Sequence, residues 1–143
     1  MSTELPAISI ILDRLEILYG VQPPPYSSDP LGIILWENVV YLADDSRRRA
    51  AFDMLRQNIG LDPASIAAAF DELLLKVTSH GEMAESRIGR LREIAEIALQ
   101  DFGGDLSSLA RLQDAQIHRA LKRFPSIGDP GADRIALFCR LIA

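Results

Sequence analysis

Apolar residues return every three or four positions along this sequence, and runs of strict alternation are hard to find. That spacing lines apolar side chains along one stripe of a helix and gives no sheet a buried face, so it predicts an all-α fold. The stripe is punctuated by start and stop signals. Asp29-Pro30 is an N-cap followed by proline at the first helical position, and it opens "LGIILWENVVYLA", apolar enough to be a buried central helix. Asp45 or Ser46 can cap "RRRAAFDMLRQNI", which Gly60 ends. Asp62-Pro63 repeats the opening signal before "ASIAAAFDELLLKV", predicted as a single helix that stops at "TSHG". A long helix is predicted from Glu82 to Asp101, with Ile88, Leu91, Ile94, Ala95, Ala98 and Leu99 on its buried side and Gly103-Gly104 as its stop. A short helix around Leu106 to Leu112 follows, and then two helices, "DAQIHRALKRF" and "GADRIALFCRLIA", joined by a turn. The core predicted from these stripes contains Ile34, Leu35, Leu55, Leu74, Leu91, Ile94 and Leu109.

Upstream, Ile8, Ile11, Leu12, Leu15 and Leu18 form the stripe of an N-terminal helix within residues 1–20, and the three prolines of "QPPPYSSDP" force residues 21–29 into an extended arm. Residues 30–143 form the remaining core, so that 143 residues with 48% hydrophobic content make a single domain. The N-terminus has no basic leader region and carries Glu4, Asp13, Arg14 and Glu16, which does not fit a signal peptide. No stretch reads as a membrane span, and the expected location is the cytoplasm. Cys139 is the only cysteine, which excludes an intramolecular disulfide and an all-cysteine zinc or iron–sulfur site within one chain. The last stretch, "RIALFCRLIA", stays apolar to its final residue; either the chain is a shortened form of a longer protein or another chain covers this helix, for instance by self-association.

The turn "FPSIGDPGADRI" carries the chemistry. Gly128 and Gly131 stand three apart at the start of the final helix, where the backbone can turn tightly and present bare N–H groups to an anionic oxygen. Ile127 is expected to pack inward, and Ala132 is small enough to let the two helices approach. An ordinary helix–turn–helix corner with no ligand is the alternative, since a Gly-x-x-Gly pattern is weak evidence by itself. Net charge is −5, yet from Arg111 onward six basic residues (Arg111, Arg119, Lys122, Arg123, Arg134, Arg140) face three acidic ones (Asp114, Asp129, Asp133). A basic face at this end of an acidic globule steers it toward a phosphate backbone.

In order and in motif the sequence resembles the helix–hairpin–helix DNA glycosylases, the family of endonuclease III and the adenine DNA glycosylase. "DPLGIILWENVVYLADD" is similar to the first core helix, "IGLDPASIAAAFDELLLKVTSHG" to the middle segment, "SRIGRLREIAEIALQDFGGDL" to the long helix before the hairpin, and "LKRFPSIGDPGADRIALF" to the hairpin itself, where the family favours Leu-Pro-Gly-Val-Gly-x-Lys-x-Ala. The resemblance implies an endonuclease III-like bundle and contact with double-stranded DNA through Ser126, Ile127, Gly128, Asp129, Gly131, Ala132 and Arg134, with the N–H groups of Ile127, Gly128 and Gly131 on one phosphate. It also implies a monovalent cation on the carbonyls of Lys122, Phe124 and Ile127, and a place near the nucleoid. Glu37, in "LWENVV", falls where the adenine-specific branch keeps the acid that protonates the departing purine. The bland reading of Glu37 is an exposed edge position or an ion pair with an arginine such as Arg47 or Arg48.

The departures from the family are equally specific. Pro130 occupies the position of the lysine that attacks the sugar in bifunctional members, so lyase chemistry through that residue is excluded. The family's aspartate and its cysteine cluster both lie further beyond that position than Ala143, and no iron–sulfur cluster is expected. The reading is therefore a DNA-binding or base-excision-repair domain without catalytic competence. The alternatives are a glycosylase whose aspartate follows Ala143, and a non-enzymatic protein-interaction module. Of the remaining polar residues, Asp44-Asp45 read as a helix end and the next cap, Arg47-Arg48-Arg49 as a solvated face with phosphate contact as the alternative, His80 as a loop or C-cap residue and His118 as solvated beside Arg119; Trp36 reads as core rather than as a base-stacking platform.

Overall fold

The computed structural model describes residues 29–139; the expected N-terminal helix, the proline arm and the residues from 140 onward lie outside the described residues. Within 29–139 the fold is all-α. Seven α-helices and one 3-10 helix follow in chain order: α1 (Pro30–Asn38), α2 (Asp45–Asn58), α3 (Pro63–Ala68), α4 (Asp71–Thr78), α5 (Ala84–Phe102), the 3-10 helix (Leu106–Arg111), α6 (Asp114–Leu121) and α7 (Asp129–Phe138). No strand occurs among the described residues. The long α5 packs against α1, α3, α4 and the 3-10 helix, while α6 and α7 pair as a hairpin that α7 docks onto α1. All seven residues predicted for the core have zero exposure. Each such side chain contributes on the order of 1.5–3 kcal/mol relative to an exposed position.

The Asp-Pro signals open helices as the sequence predicts. The Asp29 carboxylate accepts the Gly32 N–H at 3.3 Å, and Asp62 accepts the Ser65 N–H at 3.0 Å. Burial raises the pKa of Asp29 above its usual value against the opposing pull of the Gly32 N–H, whereas Asp62, at the surface, is lowered chiefly by the Ser65 hydroxyl. The cap of α2 is Asp44, which accepts the Arg47 N–H at 2.8 Å, rather than Asp45 or Ser46; Asp45 instead places its charge in the first turn, where the helix dipole favours it.

Three boundaries depart from the sequence pattern, the first two for a tertiary reason. First, α1 stops at Asn38, although the apolar run continues to Ala43. The chain leaves the helix there and reaches the α4–α5 turn, where the Tyr41 carbonyl accepts the Glu82 N–H at 2.7 Å; Leu42 (φ 51°) and Met83 (φ 53°) take left-handed conformations on either side. Gly81 makes this approach possible, since a Cβ on it would lie 2.5 Å from the Tyr41 carbonyl oxygen. Second, the single helix expected after Asp62-Pro63 is broken at Ala69 (ψ 144°) into α3 and α4. Arg92 of α5 holds the break by donating to the carbonyls of Ala67 (3.1 Å) and Ala69 (2.8 Å) and pairing with Asp71. Third, α5 begins at Ala84 and ends at Phe102, where Gly103 (φ 63°) and Gly104 (φ 88°) return the Gly104 N–H to the Ala98 carbonyl at 2.8 Å. Leu99, expected on the buried side of α5, is exposed; Ile88 is half-buried.

Candidate functional site

The α6–α7 hairpin is built from the core outward. Leu121, Phe124, Ile127, Ala132 and Ile135 are buried, so Ile127 and Ala132 face inward as their sequence positions suggest. Phe124 stacks on Phe102 of α5 with ring centroids 5.8 Å apart and planes 20° apart. On the other side, Asn38 at the end of α1 is fully buried and donates its side-chain amide to the Pro125 carbonyl and the Ile34 carbonyl, both at 2.9 Å. One amide thus ties α1 to the hairpin turn.

The turn itself differs from expectation in where the left-handed residue sits. It is Ser126, at φ 64°, not a glycine; Gly128 has φ −96° and caps α7, and Gly131 lies inside the helix. A Cβ at Gly128 would meet nothing nearer than the Pro130 Cδ at 3.9 Å, and one at Gly131 would meet the Ile127 side chain at 3.6 Å, both ordinary contacts. Neither glycine is demanded by backbone geometry; what they leave is open space over the first turn of α7. The Ile127 N–H, one of the three donors the resemblance assigns to a phosphate, is bonded to the Phe124 carbonyl at 3.3 Å. The other backbone N–H groups at the start of α7 are those of Gly128, Asp129 and Gly131, since Pro130 has none and the Ala132 N–H is bonded to the Gly128 carbonyl at 2.9 Å. A cation held by the carbonyls of Lys122, Phe124 and Ile127 would share the Phe124 oxygen with that N–H, which a carbonyl with two lone pairs permits.

Over this turn lies a cleft of about 280 Å³ lined by Glu37, Ser126, Gly128, Pro130, Gly131 and Arg134. Glu37 reaches it from α1, and its carboxylate is ion-paired with the Arg134 guanidinium of α7, not with Arg47 or Arg48. The pair is largely shielded, with side-chain exposures of 26% for Glu37 and 15% for Arg134. Two candidates read separately in the sequence, the glutamate of "LWENVV" and the hairpin, thus share one surface. Pro130 stands on the rim and offers no nucleophile.

The remaining candidates fall elsewhere. Asp129 turns toward α6, where Lys122 Nζ lies 2.8 Å from its Oδ1; that hydrogen bond and charge hold the Asp129 carboxyl below its usual range, with His118 adding to the effect. His118 is not a solvated neighbour of Arg119: its Nε2 stands 3.1 Å from Asp133 and 3.6 Å from Asp129. Arg123 pairs with Asp101 of α5 at 2.6 Å. Three of the six basic residues expected to form a phosphate-facing surface are thus matched by carboxylates, and Arg140 lies outside the described residues. Arg111 and Arg119 form no ion pair among the described residues. Arg48, read as part of a solvated face, is half-buried: it donates to the Trp36 carbonyl at 2.6 Å and lies over the Trp36 ring, which meets Phe52 edge-on at 5.5 Å. Desolvation lowers the pKa of Arg48, as burial disfavours any charge. His80, read as a loop residue, follows α4 and places Nδ1 2.9 Å from the Val77 carbonyl.

Other surfaces offer less chemistry. A larger depression of about 560 Å³, lined by Ala69, Phe70, Asp71, Glu72 and Arg92, contains a guanidinium already spent on the α3–α4 break. Burial pushes the Cys139 thiol up to about 12, aided by the charge of Asp29, so its thiolate is scarce at neutral pH. Among the described residues no group of His, Cys, Asp and Glu side chains gathers as a metal site, and no helix is long and apolar enough to cross a membrane. The Asn38 clamp and the carboxylate partners of His118 escaped the sequence reading. A polar side chain inside the apolar run "LWENVV" was the available signal for Asn38; nothing in the spacing pointed to His118, whose partners lie across a turn. No protein-family model matches the sequence, and no curated protein matches it.

Proposed function

We propose that this chain is an endonuclease III-like helix–hairpin–helix module that grips the phosphate backbone of double-stranded DNA at the α6–α7 hairpin and carries out no lyase chemistry. The observation that supports this reading most is the cleft at the hairpin, which Ser126, Gly128, Gly131 and Arg134 line beside the start of α7. Backbone donors at a helix N-terminus suit an anionic oxygen, and the absence of side chains at Gly128 and Gly131 lets it approach. Glu37 shares this cleft as the ion-pair partner of Arg134. Contacts of this kind position DNA without reading its sequence.

The test uses the room that the structure leaves at the two glycines. Replacing Gly128 and Gly131 by leucine fills the cleft and leaves the backbone geometry acceptable, so helicity by circular dichroism is expected to persist while binding to a fluorescent DNA duplex at low salt is lost. Undiminished affinity in the folded variant would defeat the reading. A second reading, a protein-interaction module that keeps the scaffold and has no affinity for DNA, draws on the matched basic residues and on the exposure of Leu42 (70%), Phe70 (77%) and Met83 (63%). A titration across salt concentrations separates the two, because phosphate contacts release counterions and weaken steeply with salt.

A further inference from the structure

Where α3 and α4 meet α5, the surface carries two depressions of about 560 Å³ and about 330 Å³ that share no lining residue with the hairpin cleft. Arg92 lines both, and its guanidinium is committed to the Ala67 and Ala69 carbonyls and to Asp71. Phe70 beside it is 77% exposed, more than any other large apolar side chain among the described residues. It occupies the N-cap of α4, where a short polar side chain would accept a first-turn N–H, and it makes no side-chain cap hydrogen bond. The fold therefore takes neither burial nor a cap from this ring. Leu99, 39% exposed, and Ala67 continue the apolar lining in the second depression. Of the carboxylates that line the two, Asp71 is answered by Arg92, whereas Glu72 and Glu96 form no ion pair among the described residues. The unmatched charge on this face is negative.

We propose that this face docks a protein segment that binds as an amphipathic helix, with apolar side chains against Phe70 and Leu99 and lysine or arginine side chains beside Glu72 and Glu96. Exposed aromatic and aliphatic side chains gathered on one face serve as anchors for such partners, and complementary charge selects among them. No strand edge exists among the described residues for a segment to extend, so docking runs through side chains, as a helix in a groove. Arg92, Glu96 and Leu99 stand at i, i+4 and i+7 on α5 and span about 10 Å, which matches two turns of a docked helix. The chain's own N-terminal stripe is a poor occupant, because Glu4, Asp13 and Glu16 outnumber Arg14 there and would meet like charge. A nucleic acid is repelled for the same reason, so the inference holds whether or not the hairpin binds DNA.

The experiment titrates the full chain into a fluorescent peptide of about 15 residues, long enough to hold a helix once bound, with leucines at i, i+4, i+7 and i+11 flanked by lysines. One control peptide has glutamate for lysine, and another keeps the composition but scatters the leucines around the helix. The lysine peptide is expected to bind about tenfold more tightly than either control, and the amide resonances it moves should cluster at 67–72 and 92–100. Phe70→Ser supplies the missing cap, so it should keep or raise the melting temperature while weakening binding about tenfold. Leu99→Gln should weaken it in the same direction, Glu72→Lys combined with Glu96→Lys should transfer the preference to the glutamate peptide, and Leu42→Ser, at an exposed apolar position elsewhere, should change nothing. The proposal is overturned if the lysine peptide does not bind, if scattered leucines bind as well, if the shifted resonances gather around 42 and 83 instead, or if Phe70→Ser and Leu99→Gln both bind undiminished.

Discussion

At Gly81 a single hydrogen atom decides whether two loops can meet. A Cβ there would sit 2.5 Å from the Tyr41 oxygen and 2.9 Å from the Tyr41 nitrogen, both backbone atoms that have no rotamer to change. Gly81→Ala is therefore expected to lower stability by about 1–3 kcal/mol, the usual penalty for overpacking. Gly89, in the exposed interior of α5, is the natural control: a Cβ there meets nothing within 4 Å, and Gly89→Ala should raise stability by about 0.5–1 kcal/mol through helix propensity alone. Thermal unfolding followed by circular dichroism checks both, and a neutral Gly81→Ala would show that the Tyr41–Gly81 approach is not needed. Ser126 tells a related story. With φ 64° in a residue that has a Cβ, it occupies the turn position where the hairpin pattern that the sequence resembles has glycine, and the turn forms regardless because Pro125 is anchored by Asn38 and Ile127 by the core.

Elements, rather than residues, carry the hairpin. Asn38→Ala removes a buried amide shared by two carbonyls and should cost about 1–3 kcal/mol, as a buried acceptor left without its donor does. Amide exchange should quicken at 124–128 more than in α5, whereas uniform acceleration would deny Asn38 its role in docking the turn. The α6–α7 seam also predicts a pH dependence. Asp129 is held below its usual value by Lys122, so its folded pKa lies under its unfolded one; the stabilisation is complete above about pH 4 and fades as pH falls through the folded value. Asp129→Asn should consequently flatten the loss of urea resistance on acidification, and an unaltered profile would remove Asp129 from the explanation. The caps at Asp29 and Asp62, the glycine stop after α5 and the seven predicted core residues were legible in the sequence because each depends on residues a few positions apart. The α3–α4 break was not: Ala67 and Ala69 favour helix locally, and the guanidinium that rewards a break comes from Arg92, more than twenty residues away in the chain. The Glu37–Arg134 pair escaped for the same reason, since nothing in "LWENVV" names its partner.

For the molecule as a whole, the chemistry at Pro130 makes a categorical prediction. Borohydride should trap no covalent adduct with abasic DNA, and Pro130→Lys should not create one, because a lysine in a cleft whose only carboxylate among the described residues is tied to Arg134 lacks a free base to activate it. A hairpin-dependent adduct in the unmodified chain would overturn this. The packing around Trp36 has a practical consequence. It is the sole tryptophan of the sequence, wedged against Phe52 and under Arg48 and adjoining Glu37 in the chain, so every photon of indole emission originates at the seam between α1 and α2, one residue from the cleft. The protein thus carries a built-in optical reporter: its emission should move to longer wavelength when α1 leaves the core, and its intensity should follow the fate of Glu37 without any attached dye.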